Sequence, residues 1–160
     1  MSVDEEGGAI DEPADAPAWQ TCGTHRYCIQ GDVLHWQGHG PMLRSDILTM
    51  FGLRQALQRQ HGQAFAVVDA RDLDTPPADA RRAAAEYRPE PPFRGALVIV
   101  STTGGAGLLI RTVVSLVTSA ARLLGRTESD LGSLFFVGDF AEAESVIARE
   151  RRHLENPSST

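Results

Sequence analysis

Residues 64–68 (Ala-Phe-Ala-Val-Val) and 96–100 (Ala-Leu-Val-Ile-Val) are short apolar runs with no polar interruption, closed by Asp69 and Ser101. A strand with one wet face alternates apolar and polar residues. A run that is apolar at every position is buried on both faces, as in parallel sheets covered by helices. These two runs therefore predict an α/β protein, and the segments around them have to supply the helices.

They do. Leu43, Ile47, Met50, Leu53 and Leu57 recur at intervals of four, three, three and four, up to His61-Gly62. That spacing predicts one amphipathic helix with Gly62 as its C-terminal stop. Residues 79–87 are Ala-rich and bounded by Pro76-Pro77 and by Pro89, Pro91 and Pro92, which predicts a second helix. Residues 107–124 form the longest apolar stretch, closed by Gly125. It contains Arg111 and Arg122 and falls short of the ~20 residues a bilayer crossing needs, so it is expected to be a core helix. Residues 134–137 supply a last strand. Asp139 and Glu142 have the N-cap and N3 pattern of a capping box, and Phe140, Ala143, Val146, Ile147 and Leu154 make the inner stripe of a final helix.

At the other end, residues 26–29 and 33–37 are strand-like and flank Gly31-Asp32, a glycine-first pair suited to a two-residue type II′ hairpin turn. The predicted order is β-β-α-β-α-β-α-β-α, a mixed, mostly parallel sheet with four helices. No internal repeat is present.

The formal charge of −6 belongs to one segment: six of the 21 acidic residues and none of the 15 basic ones lie in residues 1–19, so the rest balances at 15 of each sign. That arm is rich in Ala, Pro, Gly and acids, cannot offset its ordering entropy, and is expected to be disordered. The expected layout is a tail over 1–23, one domain over 24–155 and a frayed end over 156–160. With 42% hydrophobic residues the domain has material for a sizeable core. A neutral body with an acidic arm argues against nucleic-acid binding, which needs clustered cations. All 15 cations are arginine, a pattern of codon bias rather than chemistry. Cys22 and Cys28 match neither a redox pair nor a zinc knuckle, and the N-terminus lacks the basic and apolar regions of a signal peptide. A reduced, cytoplasmic setting is expected.

Each candidate site has a plainer reading beside it. Thr102, Gly104 and Gly105 lie between a buried strand and a helix, where backbone N–H groups can hold an anion. The chain has no lysine for a P-loop, and Ile110 stands where a dinucleotide fingerprint needs a small residue, so a strand-to-helix turn explains the glycines as well. His35 and His39 share one side of an extended segment but lack a third metal ligand. Asp69, Asp72 and Asp74 gather at a strand end, where α/β sheets bind ligands; Arg71 sits among them, and solvated loop charge is the simpler account. The interval 71–94 holds five arginines, Arg81 and Arg82 among them, and five acids, so surface ion pairs and partner contacts are expected there. Met42, Met50 and Phe51 with Leu109, Val113, Leu116 and Val117 would line a cavity between the first and third helices, or simply form core. No metal, cofactor or assembled catalytic set is indicated.

The strand order and three segments resemble the STAS family, the anti-sigma-factor antagonists, and most closely its SpoIIAA-like branch, related to the CRAL-TRIO lipid-transfer fold. The segments are Val67-Val68-Asp69, Ala78-Asp79-Ala80-Arg81-Arg82 and Pro92-Phe93-Arg94-Gly95-Ala96, and the resemblance covers residues 24–155. It implies a non-enzymatic regulatory or scaffold role through docking to another protein, a kinase-like regulator or a second copy, using Asp69, Arg71, Asp72, Asp74, Thr75, Arg81 and Arg82. In the family a serine just after the strand corresponding to 64–68 is phosphorylated by a partner kinase. Here that stretch is Asp69-Ala70-Arg71-Asp72-Leu73, and the nearest hydroxyl is Thr75. The alternative is a carrier or sensor of a lipid or small apolar molecule held under the 107–124 helix.

Overall fold

The computed structural model describes residues 16–102, 111, 112, 114, 115 and 132–157. Its main sheet has six strands: β1 (Gln20–Cys22), β2 (His25–Gln30), β3 (Val33–Gln37), β5 (Phe65–Asp69), β7 (Ala96–Val100) and β8 (Ser133–Val137), in that spatial order. Strands β1, β2 and β3 are antiparallel; β3, β5, β7 and β8 run parallel. Two further strands, β4 (Gly40–Pro41) and β6 (Leu73–Asp74), form a parallel pair of their own. Three helices, not four, have bounds among the described residues: α1 (Arg44–His61), α2 (Ala78–Glu86) and α3 (Phe140–Glu155). The expected helix over 107–124 lies outside them except at Arg111, Thr112, Val114 and Ser115, which are helical.

The local signals act as their chemistry requires. Gly31 has φ 59° while Asp32 keeps a negative φ, and Gln30 pairs with Val33, so the β2–β3 turn has two residues with its glycine first. Gly62 ends α1 in the left-handed region at φ 77°, its N–H donating to the Gln58 carbonyl. Asp139 caps α3 by accepting from the Glu142 N–H at 2.8 Å, while the Glu142 carboxylate reaches past the cap to the Gly138 N–H at 3.0 Å.

Every residue of β5 is buried, and alternate ones serve opposite faces. Ala66 and Val68 join Leu34, Trp36 and Ile99 against Met50, Phe51 and Leu57 of α1, Ala80 of α2 and Phe93. Phe65 and Val67 join Val98, Val100 and Val137 against Ala143, Val146 and Ile147 of α3. Helices thus cover both faces, which is why no polar position survives in the two runs.

Two expectations are corrected, and one strand pair is new. The ordered region begins before Thr24, because β1 pairs with β2 inside the segment read as tail; residues 1–15 lie outside the described part. Phe140 is not part of α3's inner stripe: it is 42% exposed. The β4–β6 pair was not anticipated, being only two residues per strand. Among the described residues no helix is long and apolar enough to cross a membrane.

Candidate functional site

The parallel strands all end on one edge of the sheet, where their following loops meet. Asp69, the last residue of β5, is buried, and Arg71 folds back onto it with Nε to Oδ1 and Nη2 to Oδ2, both at 2.9 Å. The Arg71 backbone N–H also donates to Oδ1 at 3.2 Å. Burial pushes the Asp69 carboxyl up, but the hydrogen bonds and charge of Arg71 outweigh it and hold the group below its ordinary range. The guanidinium fork is therefore fixed, while the Arg71 side chain as a whole remains 45% exposed. It lies 5.1 Å above the ring of Phe140, the first residue of α3. This is where Phe140 goes instead of into the core, and sequence periodicity gave no sign of it.

Asp72, Asp74 and Thr75 are exposed on the segment between β5 and α2, and Arg82 is exposed on α2. Arg81 is half-buried, donating from Nη1 to the Pro76 carbonyl at 2.7 Å. Asp69 itself does not face solvent; its part is to position Arg71. Ser101, next along the same edge, is fully buried, and among the described residues its hydroxyl has no hydrogen-bond partner. Of the glycine turn, Thr102 is exposed, and Gly104 and Gly105 lie outside the described residues.

The loop is tied to the segment after β3. The Gly38 N–H donates to the Asp69 carbonyl at 3.1 Å and the Gly40 N–H to the Asp72 carbonyl at 2.9 Å. Gly40 and Pro41 then pair with Leu73 and Asp74. A Cβ at position 38 would stand 2.3 Å from Leu73 Cδ2, so a larger residue there would displace the Leu73 side chain.

A second cluster, unforeseen from sequence, joins β1, β2 and α1. Asp46 at the start of α1 accepts from the Leu43 N–H at 2.8 Å through Oδ2 and from Cys22 Sγ at 3.7 Å through Oδ1. The Nε2 of buried His25 lies 3.3 Å from Oδ2, and Cys22 and His25 are register partners across β1 and β2. Cys22, Thr24, Pro41, Leu43, Ser45, Asp46 and Thr49 line a cleft of about 350 Å³ beside it.

The three residue types suggest a thiol hydrolase, but the arrangement does not. Burial and the adjacent Asp46 carboxylate push the Cys22 thiol up, the opposite of what a nucleophile needs. The thiol donates to the carboxylate, whereas a working triad places the imidazole next to the nucleophile. The His25 Nδ1 accepts from the His39 N–H at 3.0 Å, so its proton is on Nε2 and no lone pair is free for a metal. Among the described residues no group of three His, Cys, Asp or Glu side chains is placed to hold a metal ion. His35 is half-buried in β3, and His39 is exposed in the following segment.

Of the expected apolar pocket, Met42, Met50 and Phe51 are buried in the core against Leu34, Trp36 and Phe93, with Phe51 tilted against the Tyr87 ring at 4.8 Å. Leu109, Val113, Leu116 and Val117 lie outside the described residues.

No protein-family model matches the sequence, and no curated protein matches it. Among solved structures the chain is similar to the crystal structure of an uncharacterized protein from the DUF3478 family with a SpoIIAA-like fold, from Shewanella loihica PV-4. The two are 16% identical, with 82% of this chain and 92% of that chain covered and a TM-score of 0.43.

Proposed function

We propose that this chain is a non-enzymatic, STAS-like regulatory or scaffold protein that docks another protein on the surface where the β5–α2 loop meets the start of α3. The observation that carries the reading is the Arg71–Phe140 pair. An exposed aromatic ring lies under a guanidinium already locked by Asp69. Arginine and aromatic side chains dominate binding energy at interfaces, and a pre-organised fork loses little entropy on binding. Asp72, Asp74 and Thr75 extend the same surface. Thr75 is the hydroxyl through which a partner kinase would regulate it, since a phosphate beside Asp72 and Asp74 adds like charge to the loop.

The test compares wild type with the double variant Arg71→Ala, Phe140→Ala. Protein captured from native extract should be held by wild type and lost by the variant, and the variant should fail to complement a strain lacking the gene. The reading is overturned if the variant complements fully and retains everything wild type retains. The carrier alternative has its own measurement: freshly purified protein in native mass spectrometry would arrive with added mass, which docking alone does not predict.

A further inference from the structure

We propose that the cleft at the start of α1 binds a small aliphatic amine, with Asp46 Oδ1 holding its ammonium group and the cleft walls holding its carbon chain. This site is separate from the docking surface proposed above and does not depend on it.

Asp46 is 6% exposed, and its two oxygens are used unequally. Oδ2 accepts the Leu43 N–H at 2.8 Å and faces His25 Nε2 at 3.3 Å, so that oxygen alone serves the helix cap. Among the described residues Oδ1 receives only the Cys22 thiol, a weak donor, at 3.7 Å. No arginine among those residues pairs with the carboxylate. A carboxylate oxygen can accept two hydrogen bonds, and a buried one that lacks strong donors is costly to keep. The backbone leaves room for the missing donor. Gly23, in the turn between β1 and β2, lines the same cleft at φ 59°, and a Cβ there would come within 3.3 Å of Oδ1.

The other lining residues narrow the class of ligand. The volume of about 350 Å³ lies at the small end of ligand sites. Pro41 and Leu43 give apolar surface, and Leu43 is 49% exposed at present. The Thr24 hydroxyl is already spent on the His39 carbonyl at 2.6 Å, while Ser45 and Thr49 are exposed. An ammonium group brings three donors and the charge opposite to that of Asp46, and a short carbon chain behind it would cover Leu43. The first-turn amides of α1 would by themselves attract an anion, but Asp46 already places a negative charge there.

Butylammonium, butanol and butyrate share a carbon chain and differ in head group, so they separate these cases. Each is titrated into the full chain at neutral pH and constant ionic strength, and backbone amide NMR shifts are followed. Butylammonium should move the Gly23, Ser45, Asp46 and Thr49 amides saturably, with a dissociation constant of about 1 to 10 mM. Butanol and butyrate should bind at least about tenfold more weakly. Asp46→Asn keeps an acceptor for the Leu43 N–H and removes the charge, and should weaken butylammonium about tenfold. Thr49→Phe fills the cleft from an exposed helical position without touching the cap, and decides the matter if the first variant fails to fold. The assignment is overturned if butylammonium does not saturate, if butanol or butyrate binds as tightly, or if either folded variant binds as wild type does.

Discussion

Arg71 lies over the ring of Phe140 at 5.1 Å, joining a loop of the parallel edge to the first turn of a helix about 70 residues further along the chain. Because the ring is 42% exposed, its contribution to folding is small. Phe140→Ala should lower stability by less than about 1 kcal/mol, read from the urea midpoint, while partner binding is lost.

The Asp69–Arg71 bond makes an acid-limb prediction. Asp69 is held below its ordinary range in the folded state, so its contribution is present above the unfolded value, about pH 4, and is lost as pH falls through the folded one. Arg71 is partly exposed and screened, so Arg71→Ala should cost only about 1 kcal/mol at pH 7. The gap between variant and wild type should narrow as pH drops below about 4. Urea titrations at pH 7, 4 and 3 measure it; a gap that stays constant would show that the ion pair is not the source.

Arg54 is fully buried, and among the described residues no carboxylate pairs with it. Its Nε donates weakly to the Ala64 carbonyl at 3.4 Å, its Nη2 has no partner among the described residues, and the guanidinium lies 4.3 Å over Phe93. Desolvation pushes it down to about 9. The folded state therefore binds this proton less tightly than the unfolded chain does, and the stability this burial costs is regained as pH climbs above about 9. Arg54→Met, which keeps the volume and removes the charge, should be more stable than wild type by about 1 to 3 kcal/mol at pH 7. That advantage should shrink between pH 9 and 11. A less stable variant would mean the Phe93 contact outweighs the desolvation cost.

Gly95 precedes β7 at φ 133°, and a Cβ there would stand 2.2 Å from the Ala64 carbonyl oxygen. Neither backbone strand can retreat without breaking the β5–β7 ladder. Gly95→Ala should cost about 3 kcal/mol or more, whereas Gly52→Ala, with open space around its Cβ, should be neutral or stabilising. Thermal unfolding of the two variants distinguishes backbone collision from a general intolerance of substitution.

What the sequence by itself determined was everything that depends on neighbours along the chain. The doubly buried runs at β5 and β7, the α1 stripe ending at Gly62, the Gly31-Asp32 turn and the Asp139 cap all carry their reasons within a few residues. What only the tertiary structure decided depends on contacts between distant segments. Strand β1 is polar and exposed, so its partner β2 alone makes it a strand, and β4 and β6 are two residues long and exist only through each other. Phe140 has helical spacing with Ala143 and Ile147, yet it stands beside Arg71 rather than in the core. His25, Cys22 and Asp46 look unremarkable one by one. They become a unit because a strand register sets the first two opposite each other and the start of α1 brings in the third. Periodicity reports which face a residue takes on its own element, whereas a site forms where faces of different elements meet, and that meeting has no local signal.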